Sequence, residues 1–300
     1  MRFKESRPIS FLVIFFVYAA ASAAGIILYT RLPWNFALSL FVADVAATVV
    51  TFLFSLILKN ASVYDPYWSV APIVILVSFA VNVPLNLPAV LLLTAVCLWG
   101  VRLTANWAYT FRNLTVQDWR YTHYQELTGL FYPAVNFFGI HLMPTVIVYL
   151  CVLPAVFVMQ GGSDASAGTF AGFALSVCAV ILQGTADFQM HSFRAKKTGG
   201  FIRSGVWRYS RHPNYLGEIL MWWGVAVCSV FSLQERIWWL FAGALVNTAL
   251  FLFISIPLAD SRQSKKEGFA EYKDGTRMLL PLPRLAKNSD LYYSDSITIN

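Results

Sequence analysis

Eight separate apolar runs, at about residues 9–29, 36–58, 69–83, 88–107, 137–159, 168–190, 215–233 and 236–257, constrain this chain more than any other feature. Each is close to the roughly 20 apolar residues with which a helix crosses a hydrocarbon layer of about 30 Å. One water-soluble core cannot hide them: 58% of the 300 residues are hydrophobic and 12% charged, against about 45–50% and about 25% in soluble domains. The expectation is an all-α fold, a polytopic transmembrane helix bundle of about 7–8 spans with no soluble Rossmann domain. The third and seventh runs are short, so either is expected to tilt, re-enter or pack inside the bundle. The first run follows Arg2, Lys4 and Arg7 as a signal peptide would. Its length and the runs after it mark it as a retained span.

Charge follows the same alternation. Basic residues collect in alternate loops: Lys59; Arg102, Arg112 and Arg120; Arg194, Lys196, Lys197, Arg203, Arg208 and Arg211; then Arg262, Lys265 and Lys266. The loops at Asn82–Asn86 and Gly161–Ser166 carry none, and the turn at 30–35 carries only Arg31. By the positive-inside rule, both termini and the basic loops are expected in the cytosol. The membrane would be the endoplasmic reticulum of a eukaryote or the inner membrane of a bacterium. The net charge of +7 then reflects topology and an anionic ligand, and nucleic acid is not an expected partner. Membrane lipids and a hydrophobic small molecule are. The sequons at Asn60 and Asn113 fall on the inner side, where they are expected to go unused. Cys97, Cys151, Cys178 and Cys228 sit in apolar runs without a CxxC pair, and the four His lie far apart. Neither disulfides nor a metal site are expected.

Polar residues gather near the C-terminal end. In LQGTADFQMHSFRAKKTGG, Gln183, Asp187, His191 and Arg194 recur at steps of four, four and three, which places them on one helical face. An Asp at the end of a span is costly unless paired or wet, so the face implies a polar cavity, or else an interfacial cap with solvated charges. The next segment, GGFIRSGVWRYSRHPNYLGEILMWWG, sets Arg203, Arg208, Arg211 and His212 beside Gly199, Gly200 and Gly205, and opens a helix at Pro213. Free N–H groups of a helix start next to arginines suit a phosphate or pyrophosphate. A merely positive-inside loop explains the charges, yet not the helical spacing of Asn214, Glu218 and Trp222. Elsewhere Asp44, Thr48, Thr51 and Ser55 share a face of the second span. They are candidates for function, or for packing through small polar residues. The loop holding Asp118, Arg120, Tyr121, His123 and Glu126 reads as a lid or as an amphipathic surface helix.

The run WRYSRHPNYLGE, preceded by ADFQMHSFR and followed by FAEYKDGTRMLLP, resembles the C-terminal region shared by steroid 5-alpha-reductases. It looks closest to a related group long catalogued as a domain of unknown function. The similarity runs from about Ser62 (SVYDPYWS), through NW at Asn106 and DWRY at Asp118, to Pro281. SIPLAD, from Ser255, follows the pattern with Asp260 where the family carries Glu. The resemblance implies an NADPH-dependent reductase of a carbon–carbon double bond in a steroid, sterol or other lipid. It implies a cofactor site of Gln183, Asp187, Arg194, Arg211, His212, Asn214, Tyr215, Glu218, Tyr272 and Arg277, with Gln183 standing where the steroid enzymes usually have Asn. It also implies a polar pair that polarises the substrate carbonyl, here matched to Tyr64 and Asp65; an interfacial turn in an aromatic belt is the competing account of YDPYW. On this reading residues 1–60 form an N-terminal transmembrane hairpin and 61–286 a reductase-like membrane domain whose cofactor region is about 183–281. Residues 287–300 form a polar, disordered tail. The SGVWRYSRHPNY region and the acidic, aromatic tail are similar as well to membrane methyltransferases that use S-adenosylmethionine on isoprenylcysteine or lipid. A sterol-binding membrane protein without turnover is the third reading.

Overall fold

The computed structural model describes residues 2–197, 199–234 and 237–281; the expected disorder of 287–300 lies outside them. Helices run α1 (Arg7–Arg31), α2 (Phe36–Ile57), α3 (Tyr67–Ala80), α4 (Leu87–Thr110), α5 (Trp119–Thr128), α6 (Tyr132–Ala134), α7 (Met143–Gln160), α8 (Ala167–Ala195), α9 (Pro213–Ser232), α10 (Ala242–Leu250), α11 (Ile256–Gln263) and α12 (Phe269–Gly275). A 3-10 turn, Ala61–Tyr64, precedes α3, and π-helical turns at Val135–Leu142 and Phe251–Ser255 lead into α7 and α11. Among the described residues eight helical stretches are long and apolar enough to cross a membrane, each overlapping one of the expected runs. The protein is a polytopic helix bundle, and no strand occurs among the described residues. Of the two short runs, the third is 3-10 turn plus α3. The seventh is α9, with 72% of its span window buried, so it packs inside protein more than it faces lipid.

The chain forms two compact units. The first runs to Val180 and resumes at Ile219–Leu250; the second takes Ile181–Glu218 and continues from Phe251.

In the first unit, asparagines end the connecting turns. Asn35 Oδ1 accepts from the Leu38 N–H (2.9 Å) and Asn86 Oδ1 from that of Ala89 (3.1 Å), closing otherwise unpaired helix-start donors. Asn60 does more. Its Oδ1 accepts from the Ser62 N–H while its Nδ2 donates to the Leu114 carbonyl (2.8 Å). This sequon asparagine is only 3% exposed. Between spans the hydrophobic effect is weak and close backbone approach decides packing. Accordingly, a Cβ on Gly172 of α8 would lie 2.2 Å from the Cys228 nitrogen of α9. Ser176 Oγ bridges the same crossing to the Met221 carbonyl (3.2 Å). Trp99 and Trp222, both fully buried, meet edge to face at 4.8 Å in the core.

Candidate functional site

In the second unit the polar face of α8 meets the start of α9 at one point. Gln183 Nε2 donates to Glu218 Oε2 at 2.9 Å, and both residues are buried. A carboxyl one turn into a span needs such a partner. Asp187 and Asn214 are half-buried on the same two helices, and Arg194 is exposed in the last turn of α8. The loop between these helices is pinned from α8. Gln189 Oε1 accepts from the Val206 N–H (2.9 Å), and Trp207 Nε1 donates to the Ala186 carbonyl (3.1 Å). Gly205 makes this possible: its φ is +62°, and a Cβ there would lie 2.2 Å from Gln189 Oε1.

Arg211 and His212 both turn to Asp260 of α11. Arg211 Nη2 lies 3.1 Å from Asp260 Oδ2 and His212 Nε2 lies 2.9 Å from Oδ1. Arg211 Nη1 also donates to the carbonyls of Thr276 (2.7 Å) and Lys273 (3.1 Å), and its N–H donates to the Arg277 carbonyl (2.9 Å). The guanidinium therefore fastens α12 and the strand-like residue after it to the start of α9. Tyr272 completes the clasp, donating to the Trp207 carbonyl and packing against Phe201 with ring centroids 5.2 Å apart. Burial pushes the Tyr272 hydroxyl up to about 12, with nearby Asp260 adding to that rise and Arg211 opposing it. Tyr215 stacks on His212 at 5.3 Å, nearly parallel, and touches Phe251. Asp260 thus holds two expected cofactor residues, Arg211 and His212, although the sequence marked it only as part of SIPLAD.

Positive charge for an anion gathers a short way off. Lys266 Nζ donates to the Gly200 carbonyl at 2.6 Å. Burial and then the neighbouring cations Arg262 and Arg194 hold the Lys266 amine below its ordinary value. Arg194 and Arg262 thus each lie within electrostatic range of Lys266, and such a basic group attracts anions. Gly199 and Gly200, at φ +71° and +70°, shape the loop beside them.

The first unit holds a cavity of about 300 Å³ between α1, α2 and α3. Its walls are apolar, with Ala43, Ala47, Val70, Ala71, Val74 and Ile75 among them. α3 lines it for roughly 20 Å of helix. Thr30, Asn82 and Gln160 form an exposed rim. At the closed end lie Tyr18, Asp44 and Tyr67, each at most 9% exposed. Tyr67 donates its hydroxyl to Asp44 Oδ1 at 3.1 Å.

Tyr64 and Asp65, matched to the polarising pair by resemblance, are not among the lining residues. Tyr64 is 3% exposed and bonds the Thr145 hydroxyl at 2.7 Å. Asp65, half-buried, accepts from the Tyr121 hydroxyl at 2.6 Å. Of the polar face on α2, Asp44 reaches the cavity, Thr48 bonds Thr145 (2.8 Å), Thr51 donates to the Ala47 carbonyl (3.1 Å) and Ser55 accepts from Asn136 (3.4 Å). Tyr67 was missed by the sequence reading. The available signal was YDPYW itself, in which Tyr67 stands three residues after Tyr64, one helical turn along.

These features define a polytopic helical membrane protein whose first unit holds an apolar, polar-headed cavity and whose second unit holds a basic cluster. The chain belongs to the DUF1295 family, described as proteins of unknown function, whose pattern matches residues 51–276. It is 24% identical over 212 residues to an uncharacterised protein of Schizosaccharomyces pombe, covering 60% of this chain and 61% of that one. No solved structure matches the chain.

Proposed function

We propose that this protein is a membrane-bound reductase that saturates a carbon–carbon double bond conjugated to a carbonyl, in a sterol, steroid or other apolar lipid. The observation that carries the reading is the Asp44–Tyr67 pair at the closed end of an apolar cavity. An enone is electrophilic at its β carbon only when its oxygen is polarised, and a buried carboxyl–phenol pair supplies the hydrogen bonds for that. Asp44 accepts Tyr67 on Oδ1, which leaves Oδ2 to carry a proton toward the substrate oxygen. Ionisation within a span is costly, which favours the protonated form. The apolar walls of the cavity suit a hydrophobic substrate.

NADPH, implied by the likeness to steroid 5-alpha-reductases, would supply the hydride. Residues suited to its phosphates are Arg194, Arg262 and Lys266, a cationic group with a glycine loop at its side. Asp187, Asn214 and the Gln183–Glu218 pair are the polar groups suited to its neutral parts. Arg211 and His212 are engaged by Asp260, while Tyr215, Tyr272 and the Arg277 backbone pack around that pair beside the same group. The basic loops favour a cytosolic cofactor site and cytosolic termini, in the endoplasmic reticulum or a bacterial inner membrane.

The test has two parts. In a thermal-shift comparison on detergent-purified protein, NADPH stabilises and S-adenosylmethionine does not; stabilisation by S-adenosylmethionine alone replaces this reading with the methyltransferase one. In a turnover assay over enone sterols and lipids, Asp44→Asn and Tyr67→Phe lower NADPH-dependent reduction by roughly 100-fold or more while NADPH binding is retained. Ligand binding with no turnover of any enone in the wild type would instead favour a sterol-binding protein.

A further inference from the structure

Hydride transfer to an enone consumes one proton per turnover, and Asp44, 6% exposed at the closed end of the cavity, meets little bulk water. Behind Asp44 the first unit contains a row of hydroxyls that leads away from the cavity. Tyr67 bonds Asp44 at 3.1 Å, and Thr48, one turn after Asp44 on the same buried face of α2, is the next hydroxyl of the row. Thr48 Oγ1 is 2.8 Å from Thr145 Oγ1, and Thr145 Oγ1 is 2.7 Å from the Tyr64 hydroxyl. Thr48 is 0%, Thr145 2% and Tyr64 3% exposed, so water does not compete for these bonds. One residue beyond Tyr64 the chain surfaces, at the half-buried Asp65 with its Tyr121 partner.

Packing holds the row in register. The Tyr64 ring lies between those of Tyr67 (5.1 Å) and His141 (4.7 Å). Thr145 donates to the His141 carbonyl at 2.9 Å, at the end of the π-helical turns Val135–Leu142. A hydroxyl has one proton and two acceptor lone pairs. With its proton on His141, Thr145 accepts from both Tyr64 and Thr48. Rotation about its C–O bond alone re-aims that proton at Thr48, without moving a heavy atom. Simple helix packing needs one such bond; it does not account for three buried hydroxyls bonded in a run beside a phenol–carboxyl pair at a cavity.

We infer that Tyr64, Thr145, Thr48 and Tyr67 form a proton relay that resupplies Asp44 from water on the Asp65 side. The relay rests on the reductase reading for its purpose. In each cycle Asp44 gives its proton to the substrate oxygen as the β carbon takes the hydride, and the enol so formed ketonises, losing its O–H proton as the α carbon gains one, so that one hydride and one proton are added in all. Tyr67 passes its proton to Asp44, Thr48 to Tyr67, Thr145 to Thr48 and Tyr64 to Thr145, and one proton from water restores Tyr64. Every oxygen ends with the hydrogen count it began with, and no electron leaves the row. Tyr64, Thr145 and Thr48 are positioning residues, since they act on substrate only through Asp44.

The experiment needs neither substrate nor NADPH. Infrared spectra of the full chain in lipid nanodiscs should contain a carboxylic C=O band that Asp44→Asn removes, and on transfer to D2O that band shifts as Asp44 exchanges its proton. Thr145→Val should slow the exchange about tenfold or more, while Thr145→Ser, which keeps the hydroxyl, stays within about threefold of the wild type. Tyr64→Phe provides a second break in the row should Thr145→Val fail to fold. Equal exchange in the wild type and in a folded Thr145→Val or Tyr64→Phe variant overturns the relay, as does the lack of a band assignable to Asp44. The cofactor comparison fails or succeeds independently: slow exchange in Thr145→Val without any response to NADPH would sink the reductase reading and leave the relay standing.

Discussion

Replacing Asp260 with Ala tests whether the C-terminal arm is held by charge. Asp260 and Arg211 side chains are 9% and 7% exposed, so removing the carboxylate strands a buried guanidinium. Breaking such a pair typically costs about 3–5 kcal/mol. The lower end applies here, because Arg211 keeps its bonds to the Thr276 and Lys273 carbonyls. A loss of about 3 kcal/mol corresponds to a roughly 150-fold larger open population. The opening should be local, since the affected contacts join the start of α9 to α12, and it should free the Arg211 amide from the Arg277 carbonyl. Hydrogen exchange followed by mass spectrometry in detergent reads this directly. Peptides covering 205–216 and 269–278 should exchange about 100-fold faster in Asp260→Ala, with peptides of α4 and α7 unchanged. Lys273 offers the control: its amine is 3.9 Å from Asp260 and its side chain 51% exposed. Lys273→Ala should therefore cost at most about 0.5 kcal/mol. Exchange in Asp260→Ala within about twofold of the wild type would refute the claim that this carboxylate fastens the arm.

Gly172→Ala places a Cβ 2.2 Å from the Cys228 nitrogen and 2.7 Å from the Gly224 oxygen, both backbone atoms that cannot turn aside. It should destabilise the protein by about 3 kcal/mol in detergent melts. Gly275→Ala, which meets nothing within 4 Å, should be close to neutral. Tyr272 titrates near 12 in the fold and near 10 when unfolded. The folded state holds that proton more tightly, so its stabilisation is complete below pH 10 and is lost as pH rises toward about 12. Melts of Tyr272→Phe should show a shallower fall over that window. Inorganic pyrophosphate should raise the melting temperature of the wild type, and Lys266→Ala should remove most of that gain; an equal gain in both would count against an anion site at Arg194, Arg262 and Lys266.

The bundle was legible in the sequence because its signals are local. Helix hydrogen bonds close within four residues and spans are set by bilayer thickness, so apolar runs located all eight candidate spans, although the third and fifth helical stretches, Ala61–Ala80 and Trp119–Gln160, begin well before their runs. The α2 face of Asp44, Thr48, Thr51 and Ser55 was legible too, since helical spacing alone puts them together. Partner choice was not. Asp44 meets Tyr67, 23 residues on, and Arg211 meets Asp260, 49 residues on. Neither spacing carries a periodic trace. The π-helical turns at Val135–Leu142 also lack a local signal.

By itself, then, the sequence determined that this chain spans a membrane as helices, and which residues share a helical face. Hydropathy and the 3.6-residue period act along the chain, where order alone suffices. Tertiary structure decided that Arg211 and His212 bind Asp260, that positive charge gathers at Arg194, Arg262 and Lys266, and that Tyr67 with Asp44 heads the cavity. Each of those outcomes depends on which buried polar group finds a partner across the fold, where an unpaired one costs several kilocalories per mole, and residues distant in the chain settle that competition together.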